Sequence, residues 1–282
     1  MKALSLPLPL LCGDGIWISA SLYEGQGSGI TLIVLPAMMT RTRFYRRFSE
    51  HMAAHGVRVL VVCHRGMGES LEPSGEVRLR DWGEQDLPAA IAWARGTRPQ
   101  DRLMVMGHSM GGQIVTLPAQ VHELDAILTM GATLAWFGHW PSPERQGIRA
   151  WYWMAPVIAR VLRRRWPLER LGLGPDIRPE LVRTWARWGR DPDYLWGRRF
   201  GLAPHASEYR GRVLAISASD DRLGSEQAVR ALHQRFQSTQ VEHWVLTDGG
   251  HFGYFQRRPD LWDRTLAWMA QAPAQVGSSS PR

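Results

Sequence analysis

A serine, an aspartate and a histidine, each placed directly after a predicted strand, carry the clearest chemical signal in this sequence. Ser109 stands in Gly107-His108-Ser109-Met110-Gly111, between an apolar run and a segment that can start a helix. Glycine two residues to either side lets strand and helix close together, while the serine adopts a strained backbone that projects its hydroxyl. Such a serine becomes a nucleophile when a base removes its proton.

The base and its orienting acid are predicted further along the chain, in the order nucleophile, acid, base. Asp221 follows the apolar run 213–217, and His251 follows the run 241–246. We expect these side chains to converge, because the carboxyl ends of parallel strands meet at one edge of a sheet. Asp220 is the alternative acid, since it precedes Asp221 in the same loop.

The transition state of acyl transfer needs two backbone N–H groups that bind an oxyanion. One is predicted at Met110, after the serine, and the other at Met38, in the loop after the strand 30–35. The candidate substrate pocket contains Met39, His108, Trp136 and Phe252. Of these, His108 is expected mainly to pack, because it points away from the serine along its strand. A second histidine, His64, also follows a strand and could line the pocket.

The elements that must position these residues are eight predicted strands alternating with helices. A hairpin over 4–12 and 16–23 is followed by apolar runs at 30–35, 57–62, 103–106, 126–130, 213–217 and 241–246. Continuous apolar strands separated by helices predict a mostly parallel sheet with helices on both faces. One of these helices is expected to begin with a capping box at Asp81 and Glu84.

The alternation breaks after Gly131, where the composition changes. The segment 136–205 has no clear strand and is rich in tryptophan, so it is predicted to be an inserted helical cap. The predicted core is therefore 1–135 and 206–272. The remaining tail, 273–282, is rich in Gly, Ser and Pro and is expected to be disordered.

Charge and cysteine content narrow the function classes. The net charge is +8, and 136–210 holds 14 Arg against 7 Asp or Glu, so most of the excess lies in or beside the cap. Such a segment can face anions or simply be solvated. The two cysteines cannot form a disulfide framework, which favours a reducing cytoplasm. With no apolar run of 18 residues, stable membrane insertion is not expected.

Other chemistries lack their motifs. The sequence has no metal-ligand spacing of the H-E-x-x-H type and no phosphate-binding glycine loop, so neither a metal nor a cofactor is predicted. It also has no recognised nucleic-acid-binding motif, and its arginines are interleaved with acids. The expected partner is a small acyl substrate, and the sequence leaves the oligomeric state open.

The motifs together resemble the serine-hydrolase branch of the α/β-hydrolases. Gly107-His108-Ser109-Met110-Gly111-Gly112 is similar to the elbow of esterases and monoglyceride-lipase-like proteins, and His64-Arg65-Gly66-Met67-Gly68-Glu69-Ser70 to another of their loops. Further segments resemble a group of predicted bacterial hydrolases: Phe44-Tyr45-Arg46, 81–87, 171–174 and 250–253. One departure concerns the oxyanion loop, where Pro36-Ala37 stands in place of the usual His-Gly.

This resemblance implies an α/β-hydrolase fold and the hydrolysis of a carboxylic ester of a small, largely apolar substrate. An amidase or an acyltransferase would use the same three residues and remains open. A non-catalytic binding protein built on this scaffold is the alternative from another class. Aspartate at the elbow, which dehalogenases and epoxide hydrolases require, is absent because Ser109 occupies that position.

Overall fold

The computed structural model describes residues 5–71, 76–162 and 165–271. Its centre is an eight-stranded sheet in the order β1-β2-β4-β3-β5-β6-β7-β8, which confirms the predicted architecture. The strands β3 to β8 run parallel, whereas β2 is antiparallel to both β1 and β4. The strands are β1 (Ser5–Leu11), β2 (Trp17–Tyr23), β3 (Ile30–Leu35), β4 (Arg58–Cys63), β5 (Arg102–His108), β6 (Ala126–Met130), β7 (Arg212–Ala218) and β8 (Val241–Leu246).

Helices cover both faces of this sheet. They are α1 (Arg46–Ala54), α2 (Leu87–Thr97), α3 (Met110–Ile114), α4 (Glu144–Val161), α5 (Pro179–Trp188), α6 (Glu226–His233) and α7 (Pro259–Ala270). Side chains alternate across each strand, so Leu32 and Val34 pack against α1 and α7. Ile33 and Leu35 pack in the opposite cluster with α2, α3 and α6. The parallel strands are therefore buried on both sides.

The register of the parallel strands brings their carboxyl ends to one edge. Leu35 pairs with Gly107, and His108 pairs with Met130. Further along the sheet, Ala218 at the end of β7 pairs with Leu246 at the end of β8. The loops that follow β3, β5, β7 and β8 consequently meet at this edge, which is where α/β sheets place their ligands.

The segment between β6 and β7 is helical in its described part, with α4, α5 and short 3-10 turns but no strand. Among the described residues of this segment, the β contacts are isolated bridges of Ile177 to Trp166 and Met67. The two helices pack through aromatic rings, with Tyr152 and Trp185 5.3 Å apart. The division into a cap at 136–205 and a core at 1–135 and 206–272 stays a prediction. The predicted disordered tail lies outside the described residues.

The predicted capping box before α2 is wrong. The chain first forms a π-helical turn, Trp82–Asp86, and Asp81 makes no side-chain cap bond. Glu84 instead pairs with Arg80 at 2.8 Å, and Asp81 accepts from the Arg78 backbone N–H at 3.0 Å. Neighbouring arginines therefore occupy both carboxylates that the capping prediction assigned to the helix start.

Cys12 and Cys63 are free thiols buried in the sheet region. Burial raises the pKa of each thiol to about 12, so both stay protonated at neutral pH. Among the helices of the described residues, none combines the length and apolarity that crossing a membrane requires.

Candidate active site

The turn between β5 and α3 has the strain that the sequence predicts. Ser109 has φ +50° and ψ −115°, a backbone conformation that residues other than glycine rarely adopt. A Cβ on Gly111 would collide with the Leu35 carbonyl oxygen, and one on Gly107 with the backbone of Gly112. Glycine is therefore required on both sides, because strand and helix approach here without space for a side chain.

An aspartate and a histidine meet beside this turn. His251 Nδ1 lies 2.8 Å from Asp221 Oδ2, and both side chains are nearly inaccessible to solvent. Because the carboxylate accepts, Nδ1 carries the proton and Nε2 is left as the basic nitrogen. A Cβ built on Gly131, at the end of β6, would lie 3.3 Å from both side chains.

The Asp221 carboxylate is held by a dense set of donors. Its Oδ1 accepts from the backbone N–H groups of Leu223 and Gly224, each at 2.8 Å. The Tyr254 hydroxyl donates to Oδ2 at 3.3 Å. Burial and the neighbouring Asp221 charge raise the pKa of Tyr254, so its hydroxyl stays a donor. These bonds fix the carboxylate in the position that contacts the imidazole.

Asp220 has a different environment from Asp221. Its carboxylate accepts from the backbone N–H groups of Gly250 at 2.8 Å and Gly249 at 3.2 Å. These contacts tie the loop after β7 to the loop that carries His251. The geometry thus gives the imidazole contact to Asp221, and Asp220 joins the two loops through the backbone.

The backbone N–H groups of Met38 and Met110 lie at the cavity and have no acceptor among the described residues. Their neighbours in the loop after β3 are occupied, since Ala37 donates to the Tyr45 hydroxyl at 2.8 Å. Met39 donates to the Met67 sulfur at 3.2 Å. Of three successive amides, only that of Met38 is left to bind an oxyanion.

A buried chain of hydrogen bonds joins this loop to the histidine loop. His108 lies 2.8 Å from the Tyr45 hydroxyl through Nδ1, and 2.8 Å from the His251 carbonyl oxygen through Nε2. Burial, reinforced by the nearby His251, lowers the pKa of His108 to about 3, so its ring is neutral. Nε2 therefore donates to the carbonyl, and the Tyr45 hydroxyl donates to Nδ1.

A cavity of about 490 Å³ opens above Ser109 and His251. Its volume suits a small organic ligand. The sheet side contributes loop residues and Gln113 and Thr133, whereas the segment 136–205 contributes mainly apolar and aromatic side chains. The lining residues are Ala37, Met38, Met39, Ser109, Met110, Gln113, Thr133, Ala135, Trp140, Gly147, Ile148, Trp151, Tyr152, Leu173, Trp185, Leu223, His251 and Phe252.

The pocket predictions divide two and two. Met39 and Phe252 line the cavity, but His108 and Trp136 do not. His108 is enclosed by aromatic rings behind the elbow, and Trp136 packs on Phe137 and His139. His64 is also absent from the lining, since it is buried against Trp82.

Several lining residues carried no distinguishing signal in the sequence. Trp140, Trp151 and Trp185 were visible only as part of a tryptophan-rich segment. Gln113 was visible only as a polar residue in an apolar helix; its side chain bonds the Tyr194 hydroxyl at 2.6 Å. The described lining contains no arginine, although the surrounding segment is basic.

Two clusters of possible metal ligands lie elsewhere. His51, His55 and Asp263 form one, and His122, His205 and Glu208 form the other, each with ligand atoms within 4.8 Å of one another. None of these residues lines the cavity. Metal binding at either cluster would therefore not place an ion on Ser109.

A family model described as "Alpha/beta hydrolase family" matches residues 32–264. Similar solved structures include the esterase Pf2001 of Pyrococcus furiosus, with 19% identity, TM-score 0.65, and coverage of 94% of this chain and 90% of that one. The esterase EaEST of Exiguobacterium antarcticum has 16% identity, TM-score 0.64, and coverage of 95% and 100%.

A curated relative is similar over a shorter region. Monoacylglycerol lipase ABHD2 of Danio rerio is 27% identical over 110 residues, which are 36% of this chain. The match covers 25% of that protein, so this chain aligns with about a quarter of its length.

Proposed function

Because the chain belongs to the α/β-hydrolase family, we propose that it is a serine hydrolase that cleaves a carboxylic ester through an acyl-enzyme. The observation that carries this proposal is the bond between His251 Nδ1 and Asp221, at the wall of a cavity that also contains Ser109. The names of the similar proteins, esterases and a lipase, favour an ester as the substrate.

In the proposed reaction, Ser109 Oγ attacks the ester carbonyl carbon while His251 Nε2 takes the serine proton. The carbonyl oxygen becomes an oxyanion, which the N–H groups of Met38 and Met110 stabilise. When the carbon–oxygen ester bond breaks, His251 returns the proton to the departing alcohol. Water, deprotonated by the same imidazole, then releases the acid and restores Ser109.

Asp221 keeps the imidazole in the tautomer that this proton transfer requires and stabilises the imidazolium that forms. In the present state, no hydrogen bond joins Ser109 Oγ to His251 among the described residues. Catalytic hydrogen bonds commonly tighten only in the substrate complex, so this spacing is compatible with the role.

The cavity supports an uncharged, largely apolar substrate. Its described lining residues include no Asp, Glu, Lys or Arg, and most of the wall is aliphatic or aromatic. The Tyr152 hydroxyl is already engaged, because it donates to the Ala135 carbonyl at 2.8 Å. A charged acyl group would lose its hydration here without gaining a counter-ion.

The test is labelling with a fluorophosphonate, read by intact mass. We expect one adduct on the wild type, none on Ser109→Ala and strongly slowed labelling of His251→Ala. The matched control is Ser219→Ala, whose hydroxyl bonds the Thr247 carbonyl and which should label normally. Folded wild-type protein that forms no adduct would contradict the proposal and favour a binding protein.

A panel of p-nitrophenyl esters of increasing acyl length then tests the substrate class. We expect the highest kcat/KM for an apolar chain that the cavity of about 490 Å³ can hold. Preference for a charged acyl group, or for an amide over the matching ester, would contradict the substrate part alone. Transfer of the acyl group to an added alcohol in place of water would identify an acyltransferase.

A further inference from the structure

The outward face of α4 is apolar and exposed. Trp153, Met154, Val157 and Val161 have exposed fractions of 59%, 52%, 62% and 78%. Their spacing places them on one side of the helix, and we call this set the α4 face. Another side of the same helix is buried against the protein through Tyr152, Ala155 and Ala159. The helix therefore has more apolar surface than the fold can cover.

The α4 face belongs to the helix that forms part of the cavity wall. Gly147, Ile148 and Trp151 of α4 line the cavity. Leu173 and Leu223 also line it, yet 67% and 55% of their surfaces are exposed, so they lie at its mouth. The exposed apolar side chains that lie together on the α4 face form the kind of surface that marks an interaction site.

Arginines flank the α4 face on one side. Trp153 and Val157 share a surface groove with Arg78, Arg160, Arg183, Arg187 and Arg190. The acids that line this groove among the described residues are Glu76 and Glu180. The Arg190 guanidinium stacks on the Trp153 ring at 4.6 Å. Arg160, Arg187 and Arg190 form no ion pair with any described residue. Burial and the nearby Arg187 and Arg199 charges lower the pKa of Arg190, which indicates uncompensated positive charge.

We propose that the α4 face and its flanking arginines dock the protein on the surface of a membrane that contains anionic lipids. An exposed apolar helix side enters the boundary between headgroups and acyl chains, while adjacent arginines bind lipid phosphates. This inference goes beyond the hydrolase proposal, because docking needs none of the residues that line the cavity.

A second copy of the chain is a less suitable occupant. A two-fold dimer would place the α4 face against itself, so the flanking arginines of both copies would come together. Like charges brought together in this way oppose association. Anionic lipid supplies the opposite charge as well as an apolar layer, and therefore complements both parts of the surface.

The experiment is co-sedimentation of the full chain with vesicles of phosphatidylcholine, alone or mixed with phosphatidylglycerol. We expect binding to the mixed vesicles that weakens as salt is added, and much weaker binding to phosphatidylcholine alone. Val157→Asn combined with Val161→Asn should weaken partitioning about tenfold, since two apolar side chains leave the interface. Arg160→Gln combined with Arg187→Gln should remove most of the preference for anionic lipid.

Matched controls are Val245→Asn, which replaces an exposed valine on β8, and Arg230→Gln, which removes an exposed arginine on α6. Both should bind vesicles like the wild type, and the thermal unfolding of all variants should report intact folding. The proposal would be overturned if the wild-type protein did not bind mixed vesicles. It would also be overturned if the α4 variants bound them as strongly as the wild type. A dimer that the valine variants dissociate, without vesicle binding, would assign the face to self-association.

Discussion

Two histidine–aspartate pairs lie near the carboxyl edge of the sheet, and they differ in what else each aspartate binds. In one pair, His251 Nδ1 is 2.8 Å from Asp221. In the other, His64 Nδ1 is 3.5 Å from Asp86, and both side chains are inaccessible to solvent. Both histidines follow a strand, although His64 precedes Ser109 in the chain and His251 follows Asp221.

The surroundings of the two aspartates also distinguish the two histidine–aspartate pairs. Asp86 receives the Arg65 side chain at 2.6 Å and the Arg65 backbone N–H at 3.0 Å. The His64 ring is stacked on Trp82 at 4.4 Å, away from the cavity. Asp221 has no arginine partner among the described residues, and its histidine lies at the cavity wall. A histidine–aspartate pair can serve as a base only when the imidazole ring reaches a ligand, which holds for His251 and not for His64.

The largest expected effect comes from Asp221→Asn, which should lower kcat/KM for an ester by about 10⁴-fold because the imidazole loses its favoured tautomer. Unfolding by urea should change much less than this rate. The matched control is Asp220→Asn, which removes only contacts to backbone N–H groups and should cost less than about tenfold. A larger loss for Asp220→Asn would make Asp220 the triad acid and reverse the assignment.

Asp86→Asn should have the opposite effect, lowering stability while leaving activity nearly unchanged. It leaves the buried Arg65 with one carboxylate fewer, so the free energy of unfolding should fall by about 3–5 kcal/mol. Activity per folded molecule should stay near the wild-type value. Chemical denaturation measures the stability, with Glu84→Gln as the control, since its partly exposed pair with Arg80 contributes about 1 kcal/mol at most. Lost activity at unchanged stability would bring Asp86 into the reaction.

A histidine that is buried without a carboxylate partner is a third case, and it should make the protein less stable at low pH. His233 bonds Thr129 and the Val229 carbonyl, and burial lowers its pKa to about 4 from 6.5. Below pH 6.5 His233 binds a proton in the unfolded chain but stays neutral in the folded protein until about pH 4. The stability that the neutral, buried His233 contributes is therefore complete above pH 6.5 and is lost on acidification.

His233→Gln should therefore lose about 1.5 kcal/mol less stability than the wild type between pH 6.5 and about pH 5. Denaturant midpoints at the two pH values measure this difference, whatever the substitution costs at neutral pH. A parallel decrease in both proteins would mean that His233 already binds its proton in the folded state.

The smallest effect is expected from Tyr45→Phe, which removes the hydroxyl that links Ala37 to His108. The loop that carries Met38 should loosen, so kcat should fall about tenfold with little change in KM, as expected for contacts that act mainly in the transition state. Tyr209→Phe is the control, since its buried hydroxyl bonds the Leu124 carbonyl outside the cavity. Equal kcat values for the two variants would contradict a positioning role for Tyr45.

The sequence predicted the sheet and the relative order of Ser109, Asp221 and His251, because strand runs and the residues that follow them are local features. The order of these residues selected His251 as the base, but nothing in the sequence indicated that Asp86 lies beside His64. Arg65 and Asp86 are 21 residues apart in the sequence. Their contact depends on the π-helical turn that stands in place of the predicted capping box. It also missed Tyr45, since nothing local to that residue indicates a bond to His108 63 positions away.

The tryptophan-rich segment 136–205 shows the same limit of local sequence information. Its tryptophans were recognised as a group, but which of them face the cavity depends on how α4 and α5 pack. Trp151 and Trp185 line the cavity, whereas Trp153, two positions from Trp151, faces solvent. Trp136, which the sequence analysis placed in the pocket, packs on its neighbours Phe137 and His139.

The two buried cysteines have a practical consequence for experiments on this protein. With the pKa of each thiol near 12 and no solvent access, neither should react with maleimides while the protein is folded. The natural chain is thus already suited to site-specific labelling. A single cysteine introduced at an exposed position would carry one fluorophore and report on its surroundings without any background substitution.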